Sequence, residues 1–315
     1  MKQFSVRMLL LGCVVLGVGG QVCEAADKLK VVATLPTFAD LAKTIGGDAV
    51  DVSSIASPQF NPHFIEPKPS DVLKVKRADL FIHAGLDLEL WRGPLLDAAG
   101  NTRVFPGQQG ELDLSQGITL LEVPTHGVSR SEGDIHIYGN PHYWVDPENS
   151  RIMAATIAEK LSMVDPAHAQ EYHTRLQAFL ARLDQQMAVW HTRLASFQGQ
   201  ELIGYHNEWP YLMRFAGLNM TQFLEPKPGI PPTPKQIEFL EQYMKEKRVR
   251  VIVQSTYFPL TAAQSLAKRT GAKIALLCQN VHEVKEASDY LAMTDYNVAQ
   301  LVTALSGAQA TEARP

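Results

Sequence analysis

Seven apolar residues, Tyr172, Leu176, Phe179, Leu183, Met187, Trp190 and Leu194, recur at spacings of three and four. That rhythm keeps one helical face apolar. It predicts a helix from about 167 to 196, roughly 45 Å long at 1.5 Å per residue. A helix of that length exceeds the diameter of a small domain. The chain is therefore expected to fold as two lobes joined by one rigid rod, with the stripe packing against both.

The segments on either side share a grammar. Before the helix, apolar strands are expected at 29–35, 50–56 and 78–83, with helices at 38–45 and from Ser70. After it, strands at 202–205, 220–224, 249–253 and 274–277 alternate with helices at 234–244, 261–269 and 290–304. Strands alternating with helices argue for a mostly parallel sheet covered on both faces. The expected class is thus α/β with two such lobes. The expected boundaries are 27–165 for the first lobe, 166–197 for the linking helix and 198–315 for the second. Residues 100–140 are rich in glycine and read as a mobile surface loop holding His126 and His136. Those histidines are either incidental to a solvated loop or a weak metal collector.

The N-terminus stands apart. Lys2 and Arg7 precede an apolar run from Met8 to Gly20, and Ala25-Ala26 follow. The run is shorter than the ~20 residues a spanning helix needs. Its layout is that of a cleavable secretory signal over 1–26, which predicts an exported, periplasmic protein. Cys13 and Cys23 would leave with it, so Cys278 would remain as a single thiol. The rest of the composition, 45% hydrophobic and 20% charged with a net charge of −4, offers no basic footprint for nucleic acid.

Chemistry concentrates in three histidines: His63 in Asn-Pro-His-Phe-Ile-Glu-Pro, His142 in Asn-Pro-His-Tyr-Trp-Val-Asp-Pro and His206 in Tyr-His-Asn-Glu-Trp. His63 and His206 follow expected strand ends, where ligands bind in open α/β sheets. Neutral imidazole is the commonest protein ligand for a borderline-soft metal such as zinc. Prolines fix the backbone before two of them, and Tyr143, Trp144, Trp209 and Tyr211 supply bulk that excludes water. Asp146 and Glu66 are candidates to hold imidazole N–H groups, although Asp146 before Pro147 is equally placed to cap a helix.

These motifs, together with Ala78-Asp79-Leu80, Glu89-Leu90-Trp91 and Thr270-Gly271-Ala272-Lys273, resemble the substrate-binding proteins of zinc and manganese ABC importers. The resemblance runs through nearly the whole chain after the leader. It implies two α/β lobes on a long helix, a metal held between them, and delivery to an inner-membrane ABC permease by a monomeric carrier. His63, His142 and His206 fall on the three histidine ligand positions. The usual fourth ligand, an aspartate after the last strand of the second lobe, is absent, and Cys278 or Gln279 stands there instead. A Cys278 thiolate, a water or the Gln279 amide oxygen are the alternatives, and a thiolate would favour zinc or copper over manganese.

The expected function is therefore zinc capture for transport, with manganese or iron as the alternative cargo. A secreted zinc hydrolase is the alternative of another class, since three histidines plus a water also form a catalytic set. The chain has no His-Glu-x-x-His helix to support it.

Overall fold

The structure, a computed structural model, describes residues 27–125, 136–227 and 229–312. The expected leader, 1–26, and His126 lie outside the described residues. The first lobe carries strands β1 (Leu29–Ala33), β2 (Val50–Ser54), β3 (Leu80–His83) and β4 (Glu111–Asp113). Its helices are α1 (Pro36–Gly46), α2 (Pro69–Lys76), α3 (Arg92–Ala99) and α4 (Pro147–Val164). The long helix α5 (Ala169–Leu194) follows. The second lobe carries β5 (Glu201–Gly204), α6 (Pro210–Ala216), β6 (Asn219–Phe223), α7 (Pro234–Lys247), β7 (Val251–Ser255), α8 (Thr261–Thr270), β8 (Lys273–Leu277) and α9 (Tyr290–Glu312).

Each lobe is built on one four-stranded sheet, in the orders β2-β1-β3-β4 and β6-β5-β7-β8. All pairings are parallel, so the two lobes repeat one topology. Period-two alternation sends successive side chains to opposite faces. Val31, Ala33, Leu80 and Ile82 face a core shared by both lobes, whereas Val32 and Phe81 face a second cluster with Val75 of α2 and Leu95 of α3. In the second lobe Leu202, Val251 and Val253 face the shared core, and Ile203 and Ile252 face Leu240 of α7 and Leu266 of α8. Burial on both faces is why these strands read as continuous apolar runs rather than alternating ones.

All seven stripe residues of α5 are buried in the shared core. The helix spans about 39 Å, with short 3₁₀ turns at Pro166–His168 and Ala195–Phe197 completing the expected rod. Burying each such side chain is worth about 1.5–3 kcal/mol relative to exposure. The rod is therefore held along its whole length and resists bending.

The described part of the segment 100–140 is not simply a surface loop. Phe81, Ile82 and His83 pair with Glu111, Leu112 and Asp113, making β4 an edge strand of the first sheet. Leu112, Leu114 and Ile118 enter the shared core. Three residues between glycines are too few to display alternation, so tertiary pairing created a strand that local pattern does not announce. Helices α3 and α6 are likewise short and carry no long periodicity.

The lobes are also tied to one another by polar contacts. Trp144 Nε1 donates to the Gln279 carbonyl at 2.8 Å, and Asn140 Nδ2 to that of Asn207 at 2.9 Å. Arg214 pairs with Asp146 at 2.7 Å, and the Asp40 carboxylate accepts from Tyr290 N at the start of α9. Among the described residues, no helix is long and apolar enough to cross a membrane.

Candidate metal centre

His63 sits in a 3₁₀ turn, Pro62–Phe64, after β2. Asn61 Oδ1 accepts from His63 N at 3.0 Å, and Trp91 Nε1 pins the Pro62 carbonyl at 3.0 Å. The same device recurs at the second Asn-Pro-His: Asn140 Oδ1 accepts from His142 N at 3.1 Å. An asparagine that bonds the backbone two residues on folds the chain into a local turn, and proline holds φ within it. His206 is placed differently. It lies two residues past the end of β5, and Gly204 beneath it lets β5 approach β6 closely, since a Cβ there would lie 2.7 Å from Met220 Sδ.

The three rings meet. One nitrogen from each of His63, His142 and His206 lies within 4.8 Å of the others, and all three residues are buried. Nε2 of His63 and Nε2 of His142 are 3.0 Å apart. Ring centroids stand 5.1, 5.8 and 5.7 Å apart for the pairs 63–142, 63–206 and 142–206.

The outer nitrogens face oxygen. His142 Nδ1 is 3.0 Å from Asn140 Oδ1, and His206 Nδ1 is 2.7 Å from Glu225 Oε2. An amide oxygen and a carboxylate accept but do not donate there, so Nδ1 carries the proton and the Nε2 lone pair turns inward. Burial, reinforced by the neighbouring rings, pushes His63 and His142 well below the ordinary imidazole value. Both are neutral at pH 7, as a divalent metal requires of its ligands.

His136 joins this neighbourhood. Its ring stacks on His63 at a centroid distance of 5.0 Å and lies 5.8 Å from His142. The sequence places it in the glycine-rich segment 100–140, as incidental or as a weak metal collector, and the fold sets its ring against those of His63 and His142.

Cys278 does not join the three-histidine group. Asn297 clamps its backbone on both sides, with Oδ1 accepting from Cys278 N at 2.8 Å and Nδ2 donating to Cys278 O at 2.7 Å. Its thiol is buried in the shared core beside Glu283, and burial pushes its pKa up, away from the thiolate. Gln279 turns the other way, its Nε2 donating to Glu208 Oε2 at 2.7 Å.

The carboxylates are also redistributed. Asp146 caps α4 by accepting from Glu148 N at 2.9 Å and pairs with Arg214. Glu66 is exposed. Glu208 is buried, with its oxygens taken by Ser255 Oγ, Tyr257 OH and Gln279 Nε2. The carboxylate that holds an imidazole is Glu225, which follows β6 and whose N–H bonds the Tyr205 carbonyl at 3.0 Å. The repeated wording Glu66-Pro-Lys-Pro and Glu225-Pro-Lys-Pro was the one local signal for it, and the two differ in their distance from the preceding strand, twelve residues past β2 against two past β6.

Two parallel α/β lobes on a shared helix, with buried imidazoles converging from both, define a metal-binding protein of the two-lobed substrate-binding class. The chain belongs to the family described as ZnuA, zinc-uptake complex component A, periplasmic, whose profile matches residues 31–304. It is 26% identical over 252 residues to the iron-binding protein YfeA of Yersinia pestis, covering 79% of this chain and 76% of that one. It is 25% identical over 319 residues to the manganese ABC transporter substrate-binding lipoprotein PsaA of Streptococcus anginosus, covering 97% and 100%. A crystal structure of ZnuA superposes with a TM-score of 0.75 at 26% identity, covering 88% of this chain and 99% of that one. Family members are metal-binding substrate-binding proteins of ABC transporters rather than enzymes. The hydrolase alternative therefore falls away. Its chemistry would also need a poised general base, and both oxygens of Glu208, the buried carboxylate near His206, are already engaged.

Proposed function

We propose that this chain captures Zn²⁺ between its lobes through Nε2 of His63, His142 and His206 and delivers it, from the periplasm and as a monomer, to an inner-membrane ABC permease. On this reading residues 1–26 are the cleaved leader, 27–165 and 198–315 are the lobes, and 166–197 is the rod between them. The observation that carries the cargo assignment is the donor set. Among the described residues, the group gathered within ligand distance is three imidazoles with no carboxylate among them. Nitrogen donors suit zinc, whereas manganese prefers oxygen. The manganese and iron proteins among the relatives keep those ions as the competing cargo.

The closely bonded lobe interface and the buried rod support capture with little hinge motion. Competition titration of the metal-free protein tests the cargo. Zinc is expected to bind more tightly than manganese, as the ordering of nitrogen-site affinities implies. Equal or tighter manganese binding overturns the zinc assignment.

A further inference from the structure

Two amides and one carboxylate join the lobes beside the histidine cluster. Glu122 Oε2 accepts from Asn140 Nδ2 at 2.9 Å and from Asn207 Nδ2 at 2.7 Å. Asn140 belongs to the first lobe and Asn207 to the second, 67 positions further along the chain. Asn140 Nδ2 also donates to the Asn207 carbonyl at 2.9 Å, so the triangle is closed on all three sides. Tyr211 of α6 adds a second tie. Its hydroxyl accepts from Leu121 N at 3.0 Å and donates to the Asn140 carbonyl at 2.7 Å.

Each amide stands next to a ligand. Asn140 Oδ1 faces both the backbone N and Nδ1 of His142, and Asn207 directly follows His206. Asn140 N donates to the Leu121 carbonyl at 2.9 Å, so every polar group of Asn140 is engaged. Its position therefore depends on both lobes at once. Glu122, by contrast, is exposed and stands outside the three-histidine group. It is the charged member of the triangle, and hydrogen bonds to a carboxylate are roughly twice as strong as neutral ones.

The backbone bends to bring it there. Glu122 has φ 54, a left-handed conformation that residues with side chains seldom adopt. Such outliers persist where their surroundings over-determine them, and they gather at ligand clamps. Gly139, at φ 122, lets the facing chain lie close. A Cβ there would stand 3.1 Å from the Leu121 carbonyl oxygen and 3.2 Å from Val123 Cγ2.

We propose that Glu122 is a positioning residue that clasps the two lobes beside the metal site and thereby sets how slowly the captured ion leaves. Parting the lobes separates His142 from His206, and it must break the bond from Asn207 to Glu122. The role rests on the three-histidine reading above and deepens it. It assigns retention of the cargo to a side chain outside the ligand group.

Stopped-flow mixing of the zinc-loaded protein with excess chelator reads the dissociation rate. Glu122→Ala removes the acceptor and should release zinc at least about tenfold faster, the lower end of the loss usual for a group behind a ligand. Association should change little, because such changes fall mostly on dissociation. Glu122→Gln keeps an acceptor oxygen without the charge and should fall between the two. Asn207→Ala deletes the same bond from the other lobe. Its effect and that of Glu122→Ala should therefore combine to less than their product in the double variant. Wild-type release by Glu122→Ala overturns the proposal, and so does a full product in the double variant. Should Glu122→Ala fail to fold, wild-type release by Glu122→Gln overturns it instead. His142→Ala separates the two levels: zinc binding unchanged in that variant would sink the three-histidine site itself, whereas the outcomes above would leave that site standing.

Discussion

Nε2 of His63 and Nε2 of His142 lie 3.0 Å apart, although 79 residues separate them in the chain. At that distance two neutral rings share one proton or face one cation. Both Asn-Pro-His turns end with the imidazole pointed at the same spot, so local backbone devices set the pair. Such preorganisation reduces the ordering that binding would otherwise require.

The pH dependence follows from that burial. Burial comes first among the causes that hold His63 and His142 well below 6.5. A lowered folded pKa means the unfolded chain binds more protons as pH drops. The contribution to stability is therefore complete above 6.5 and is lost as pH falls toward the folded values. Zinc affinity of the folded protein should hold from about pH 7.5 to below 6.5 and decline only as the pH approaches the lowered folded values, where protons compete for the same nitrogens. Chelator-competition titrations across that range check it. A tenfold loss already above pH 6.5, or no loss down to about pH 4, would falsify ligation by these buried imidazoles.

Glu225 gives a second expectation. Its Oε2 lies 2.7 Å from His206 Nδ1, and both side chains are buried. Glu225→Ala should weaken zinc binding by about 10–100-fold, because the ring loses the acceptor that sets its tautomer. Glu225→Gln keeps an acceptor oxygen and should fall between the two. Affinities of the three proteins, measured at one pH, decide whether the carboxylate matters in this way.

Cys278 should be silent in binding. Cys278→Ser is expected to leave zinc affinity unchanged, while thermal stability drops because a hydroxyl replaces a thiol in an apolar core. The native thiol should also resist alkylation, since reactivity requires the thiolate that burial disfavours. Weakened zinc binding in a correctly folded Cys278→Ser protein would return sulfur to the ligand set.

Glu283 should make stability fall as pH rises. Burial pushes its carboxyl up to about 7 from 4.5, against the hydrogen bonds from Thr256, Asn280 and Gln279. The folded state then holds a proton that the unfolded chain has lost between those two values, and stability decreases through that window. Glu283→Gln lacks this term. Relative to wild type it should gain about 3 kcal/mol between pH 5 and 8. Urea unfolding of both metal-free proteins at the two pH values measures the difference, and parallel pH profiles would show that Glu283 is not held protonated.

The α5 stripe was legible because one long apolar face needs only local periodicity, and all seven of its residues are buried. The parallel strands were legible as apolar runs because both of their faces are covered. Strand β4 was not, since its three residues gain their hydrogen bonds only from β3.

At the site the division is equally physical. His63, His142 and His206 were readable as candidates because each sits in a short motif whose residues shape the local turn. Their convergence and their supports were decided by the tertiary structure. Glu225 reaches His206 because it stands two residues past the end of β6, beside β5, whereas Glu66 in the same wording lies twelve residues past β2 and stays exposed. Cys278 is drawn into the core because Asn297, on α9, holds its backbone. His136 meets the cluster because Asn140 anchors the chain that carries it. By itself the sequence determined the rod, the repeated α/β grammar and the three imidazoles, all of which depend on neighbours a few residues away. The direction of a side chain at a strand end, and the partner behind each ring, depend on groups tens to hundreds of residues distant, and only folding brings those together.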